Sequence, residues 1–448
     1  MSFFTAIALS SLLSIAATST TTEGCVPTGT TMEQLDAARD LHRAGAHRAA
    51  ITAFECALPR AEATSRGAVS GGGISLSHRM TYARSLKKAG EFKRALLELD
   101  RVGEIVARDS ALATRVELRA ALLTAQASVH ACAADLPAAV EVGQRSLATV
   151  VALFREDVQK PPKLLEAIVR RMLDLAKWHK WQGSEWESDK MLRSAARLIT
   201  RGSTAQHRWT MRSDSADSLQ YPGVELVSRL PRRAWTWRYP AAAAAGPLAP
   251  PVLGAASLAA MEAAAMVLVA AAPQLRAEYL RLDREGWLQR QAECIDDPAM
   301  GSWRFLNMFA SGAERAAPKR RMCGGGDDDD APHAAAACGV VRALEALLGT
   351  GSLVRVGYSA LAAGGHIRPH CGATNAHLKL HVGLVVPHEC TMLRVGHTVL
   401  MPGWREGEVT GLDDSFEHEV WNNCTEERAI LQVVVKHPHL DDSYEKLA

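Results

Sequence analysis

From Ser352 onward the hydrophobic pattern has a period of two, and this constrains the fold more than any other feature of the chain. Leu378, Leu380, Val382, Leu384 and Val386 alternate with Lys379, His381, Gly383 and Val385. Successive side chains of a strand point to opposite faces, so Lys379 and His381 share one face. Val433 and Val435 close a later strand that begins near Arg428. Short strands with turn residues between them predict an antiparallel β-sandwich or barrel.

Residues 32–200 carry a helical period and a loose internal repeat. In the first unit Leu41, Gly45, Ala49, Ala50, Ala53, Phe54, Ala57 and Leu58 precede Pro59. Small residues at these spacings let two antiparallel helices pack closely, and the glycine opens the turn between them. Leu86, Gly90, Phe92, Ala95 and Leu99 repeat the pattern; Ala134, Leu136, Ala139 and Leu147 form a weaker third unit. A fourth runs through Leu175, Ala176, Gly183, Met191 and Ala196. The series is similar to tetratricopeptide (TPR) repeats, an irregular helical bundle being the plainer alternative. Either would form a platform for a partner or a substrate chain.

A chain of 448 residues exceeds one ordinary core, so two or three domains are expected. The expected order is a signal peptide or short anchor at 1–24, a TPR-like domain at 32–200, a linker or extended arm at 201–250, and a β domain at 251–448. The apolar run from Phe3 to Ala17 has the length of a secretory h-region and is short for a membrane span. The alternative is a buried N-terminal helix; as a signal or anchor the run would place the chain in the secretory pathway, in the endoplasmic reticulum lumen, with membrane contact only through it. The second apolar stretch, Pro251 to Ala272, is mostly alanine and contains Glu262, so it reads as a soluble helix. Helix continues to about Gln291. Pro222, Gly223, Pro231, Pro240, Pro247 and Pro250 break helices across the linker.

The formal net charge is +2 with no basic block, which argues against a nucleic-acid partner. None of the nine cysteines forms a CxxC pair, which argues against a zinc ribbon. Asp327 to Asp330 lack the alternation and closing glutamate of a calcium loop and read as a solvated insertion near 324–337. Cys323 and Cys338 bracket it and would be joined in an oxidising compartment.

Nine of the sixteen histidines follow residue 360, which calls for a metal hypothesis. His366/His370 and His377/His381 are each four apart, a zinc-peptidase spacing. That spacing needs a helix. Gly364, Gly365 and Pro369 oppose one, and the second pair lies in an alternating strand. The glutamate that such a peptidase uses as base is also missing from both pairs.

His366-Ile-Arg-Pro-His370-Cys-Gly372-Ala-Thr374-Asn375, Leu378-Lys379-Leu-His381-Val-Gly383-Leu384, Asp413-Asp-Ser415-Phe416-Glu-His418-Glu419-Val-Trp421, Arg428 and His437-Pro438 together closely resemble the catalytic domain of aspartyl/asparaginyl β-hydroxylases. The resemblance covers roughly residues 220–440, and the family also places TPR-like helices before this domain. It implies a double-stranded β-helix (a jelly-roll, cupin-like barrel) and an iron(II)- and 2-oxoglutarate-dependent dioxygenase. His370 and His418 would be the metal ligands and catalytic residues. Such oxygenases usually add a carboxylate, and here that slot is Gly372; the resembled family has the same two-histidine arrangement. Room then remains for water, 2-oxoglutarate and O2. An aspartate at 372 is expected to add a third ligand if the loop permits it. Arg428, Ser359, His381 and Lys379 match residues that contact 2-oxoglutarate, Lys379 standing where the family usually has arginine. Trp303 matches a tryptophan lining the site. Cys371 reads as a small filler, His366, His377, His388 and His397 as surface residues, and Asn423-Cys424-Thr425 as a glycosylation sequon beside the site.

The implied substrate is an Asp or Asn β-carbon in a protein, classically within a disulfide-rich secreted module held by the helical repeats. Two alternatives are a lipid acyl-chain hydroxylase and a non-catalytic TPR adaptor with a degenerate barrel.

Overall fold

In the computed structural model the described residues are 30–43, 46–65, 76–109, 112, 115–156, 162–202, 236–239, 255–290, 294–297, 300–311, 323, 334–372 and 374–440. The N-terminal apolar run and the four-aspartate insertion lie outside them. The chain divides into two compact units after Arg108, a division that falls within the expected repeat region.

The first unit holds helices α1 (Thr31–Arg43), α2 (His47–Ser65), α3 (Leu76–Lys88) and α4 (Phe92–Arg108). Ala50, Phe54, Ala57 and Ala61 recur at helical spacing and are buried, as are Leu86, Ala95 and Leu99. The second unit opens with α5 (Val116–Cys132), α6 (Leu136–Glu156), α7 (Pro162–Trp181) and α8 (Glu185–Gly202). The helices pair as TPR-like hairpins, and all four turns are closed by the same bond from an amide to the carbonyl five residues back. These bonds run from Ala46 to Leu41 (2.9 Å), Glu91 to Leu86 (2.8 Å), Asp135 to His130 (2.9 Å) and Ser184 to His179 (2.8 Å). That bond belongs to the Schellman ending, whose preceding residue is left-handed. Gly90 (φ 82°) and Gly183 (φ 77°) supply it freely, and Ala134 (φ 62°) adopts it with a side chain.

The rest of the second unit is a sandwich of antiparallel sheets. The strands are β1 (Thr236–Tyr239), β2 (Gln289–Arg290), β3 (Trp303–Ala310), β4 (Leu353–Leu361), β5 (His366–His370), β6 (His377–Val385), β7 (Thr391–Val395), β8 (Thr398–Leu400), β9 (Val409–Leu412), β10 (His418–Asn422) and β11 (Arg428–Lys436). One sheet has the order β1-β9-β6-β11-β4-β3-β2, the other β5-β10-β7-β8. This is a jelly-roll arrangement. Thr236–Tyr239, inside the stretch expected as a linker, forms β1 and pairs antiparallel with β9 at the sheet edge.

Helices α9 (Ala255–Arg284) and α10 (Ala335–Leu348) cover the outside of the large sheet. Among the described residues α9 is long and apolar enough to cross a membrane. Its Met261, Ala265, Leu268, Leu275, Tyr279 and Leu282 are buried in one core with Leu378, Leu380, Val382 and Leu384 of β6. The apolar phase of β6 therefore faces helices, which leaves its polar phase for the space between the sheets.

Disulfides join Cys132 to Cys294, Cys323 to Cys338 and Cys390 to Cys424. Cys56 is disulfide-bonded as well. The first of these ties the end of α5 to the β domain across 162 residues.

Candidate active site

A cavity of about 400 Å³ lies between the sheets, and every residue singled out from the sequence lines it: Trp303, Ser359, His370, Gly372, Lys379, His381, His418 and Arg428. Antiparallel registry brings them together. His418 on β10 pairs directly with His370 on β5, and their ring centroids are 4.1 Å apart. His370 Nδ1 is 2.7 Å from the Arg368 carbonyl, and His418 Nδ1 is 3.0 Å from the Phe416 carbonyl. A carbonyl only accepts, so each Nδ1 carries the proton and each Nε2 the lone pair. Metal-binding histidines are commonly oriented this way. Burial, with the neighbouring His370 and Lys379, holds His418 well below the usual histidine range, so it is neutral and able to ligate.

His381 is arranged oppositely. The Trp404 indole N–H, 3.3 Å from His381 Nδ1, can only donate. His381 Nδ1 therefore accepts, and Nε2–H is left as a donor with no partner. Arg428 is 1% exposed, with Nε and one terminal nitrogen unpartnered, and its guanidinium lies 4.5 Å from the Trp404 ring centroid. Burial lowers Arg428 to about 10, which leaves it cationic near neutrality. Each unmet buried donor costs roughly 1–3 kcal/mol. Several in one cavity are what an acceptor-rich ligand such as a dicarboxylate would satisfy. Trp303 Nε1 donates to Ser359 Oγ at 2.9 Å, which orients that hydroxyl.

Gly372 has a physical reason to be glycine. A Cβ there would sit 2.3 Å from Asp414 Oδ2. Asp414 is paired with Lys379 at 2.8 Å, and its carbonyl accepts the Gly372 N–H at 2.6 Å. The loop thus has no room for an added side chain at 372, contrary to the expectation for an aspartate. No three histidine, cysteine or acidic side chains among the described residues form a metal-holding group.

The strand carrying His418 is clamped from behind. Glu417 and Glu419 flank it, and both pair with Arg394 of β7, at 2.9 and 2.8 Å. Glu419 also holds His366 at 2.8 Å, and His366 stacks on Trp421. His366 is therefore a partly buried member of this network rather than a surface residue. Lys180, near the end of α7, reaches Glu417 at 2.7 Å. Next to it, Trp181 donates to the Pro369 carbonyl at 3.0 Å, one residue before His370. Helix α7 thus braces both histidine-bearing strands.

A sequence profile of the family described as aspartyl/asparaginyl beta-hydroxylase matches residues 270–438. The match covers the β domain and stops short of the helical repeats before it. The mouse and human aspartyl/asparaginyl beta-hydroxylases are each 43% identical over 86 residues, 19% of this chain and 11% of theirs. An ornithine lipid ester-linked acyl 2-hydroxylase of Rhizobium tropici is 36% identical over 76 residues, 17% of this chain and 27% of that protein. The chain thus spans about a tenth of the mammalian relatives' length. A Pseudomonas putida prolyl-4-hydroxylase structure covers 38% of this chain and 87% of its own at 17% identity, with a TM-score of 0.27, too slight a likeness to carry an argument.

Sequence reasoning missed Asp414, Arg394 and Trp404 within the matched region, and the bracing pair Lys180 and Trp181 on α7 outside it. The first had a signal, since four acidic residues in the seven from Asp413 to Glu419 would be odd in a buried segment without partners. The others had none, because their partners lie far away along the chain.

Proposed function

We propose that this chain is an iron(II)- and 2-oxoglutarate-dependent dioxygenase that hydroxylates the β-carbon of aspartyl or asparaginyl residues in a protein substrate. The observation that carries it is the joint placement, in one cavity, of two facing histidines with lone pairs at Nε2 and a set of buried donors without partners. His370 and His418 would hold the metal. Arg428 and Ser359 would take the far carboxylate of 2-oxoglutarate. His381 Nε2–H would hydrogen-bond the co-substrate, and Lys379 would contribute charge beside it. The metal, when bound, supplies oxidative decarboxylation of the co-substrate with O2, giving succinate and the oxidising equivalent for a C–H bond. The protein's part is to orient, through the bonds that fix both histidine tautomers, and to exclude water, through Trp303, Ile430 and Trp404 around the cavity.

The TPR-like helices are suited to holding a substrate chain. The disulfides support an oxidising compartment, and with it the secretory pathway and a disulfide-rich secreted module as substrate. The acyl hydroxylase relative favours a second reading, in which the oxidised carbon belongs to a lipid. The test is anaerobic iron(II) loading followed by measurement of succinate release from 2-oxoglutarate with aspartyl peptides, asparaginyl peptides and acyl lipids in parallel. Peptide-stimulated release with a peptide mass gain of one oxygen supports the reading. Stimulation by lipid alone moves it to the second, and no metal-dependent release favours a non-catalytic adaptor.

A further inference from the structure

Two donors in the cavity are left unused by that assignment. Arg355, on β4, lines the cavity and lies on the same strand face as Ser359, four residues on. Its Nε is buried without a hydrogen-bond partner, and no ion pair is found for it among the described residues. Its guanidinium carbon lies 5.4 Å from the ring centroid of Phe305. That ring in turn rests on Gly357, where an added Cβ would meet Phe305 Cε1 at 2.4 Å. Gly357 thus makes room for an aromatic platform that fixes the guanidinium. Gln432, on β11, is 5% exposed, and its Nε2 has no partner. Gln432 pairs with Gly357, and Arg355 with Val434, so the two donors are diagonal cross-strand neighbours with backbones roughly 7–8 Å apart.

Charge decides what they suit. The charged residues lining the cavity are Arg355, Lys379, Arg428 and the single acid Asp414, which pairs with Lys379. The 2-oxoglutarate reading places one carboxylate against Arg428 and the other beside the histidines and Lys379. Arg355 then remains a partly buried cation on the cavity wall with no anion assigned to it.

We propose that Arg355 and Gln432 form a second carboxylate subsite, which receives the side-chain carboxylate of the substrate and makes the site select aspartyl over asparaginyl residues. The inference rests on the hydroxylase reading and names its substrate class. A guanidinium and an amide N–H both donate, so they suit a carboxylate, which only accepts. An asparagine amide would bring no charge to Arg355 and only one accepting oxygen, so its NH2 would face one of the two donors. Charge-assisted bonds in the cavity are worth enough for a preference of at least about tenfold.

The test uses the full chain loaded with manganese(II) under nitrogen, titrated calorimetrically with 2-oxoglutarate and then with two peptides that differ only in Asp or Asn at one position. The wild type should bind the aspartyl peptide at least about tenfold more tightly. Arg355→Met and Gln432→Leu should each bring the two peptides to within about threefold and leave 2-oxoglutarate affinity unchanged, and Arg355→Lys should restore part of the preference. Having two variants on different strands protects the test should one fail to fold. Equal wild-type affinity for the two peptides, or no binding of either, overturns the proposal. So does a loss of 2-oxoglutarate affinity in Arg355→Met, which would make Arg355 a co-substrate residue. Failure of the hydroxylase reading looks different, since the wild type would then show no 2-oxoglutarate binding at all.

Discussion

Replacing Gly372 by aspartate puts the geometry of the site under direct load. The new Cβ would lie 2.3 Å from Asp414 Oδ2 and 2.6 Å from its Cγ, where ordinary contact begins at 3.4 Å. Asp414 must therefore withdraw by about 1 Å, against its 2.8 Å bond to Lys379 and the 2.6 Å bond that ties its backbone to residue 372. Overpacking of this kind costs about 1–3 kcal/mol. Two carboxylates roughly 4 Å apart repel by about 4 kcal/mol at an effective dielectric constant near 20. The terms overlap, so Gly372→Asp should destabilise the β domain by about 3–5 kcal/mol and Gly372→Ala by about 2 kcal/mol. The exchange variant, Gly372→Asp with Asp414→Gly, removes the collision and returns a carboxylate to the same space beside Lys379. It should regain most of the lost stability and bind divalent metal more tightly than the wild type, since its carboxylate is carried on the loop next to His370. Urea denaturation followed by near-ultraviolet circular dichroism gives the first quantity, and anaerobic chelator competition gives the second. A Gly372→Asp single variant within about 0.5 kcal/mol of wild type would refute the reasoning, because a substitution free of conflict is what that value means.

Arg428→Ala should weaken 2-oxoglutarate by at least tenfold and leave metal affinity within about twofold, since it removes a charged partner and no ligand; calorimetry with each separately checks this, and equal losses would make Arg428 structural. Lys180→Met should cost about 1–2 kcal/mol, because Glu417 keeps Arg394 as a partner, whereas Glu417→Leu strands both cations and should cost more; the two denaturation midpoints decide. Asp413 is raised to about 7 by burial, against hydrogen bonds from Ser415. The fold then holds a proton that the unfolded chain releases near pH 4, so this contribution to stability is complete below about pH 4 and is lost as pH rises through 7. Asp413→Asn should flatten that part of the stability profile in melts between pH 4 and 8, and an unchanged slope would assign it elsewhere.

The elements were legible in the sequence because they are set by local periodicity. The alternation at 378–386 places β6, and the recurring small residues place the helical hairpins, down to the left-handed turns at Gly90 and Gly183. His370, His418, His381 and Arg428 were legible too, because a motif keeps its spacing wherever the strands lie. What tertiary structure decided was every relation between residues far apart in the chain. Whether a side chain can stand at 372 depends on Asp414, 42 positions on, and whether the His418 strand is braced depends on Lys180, which reaches it from a helix. That Arg355 lines the same cavity as the histidines is visible only in the folded chain, because a cation on an alternating strand reads as solvent-facing until the opposite sheet is in place.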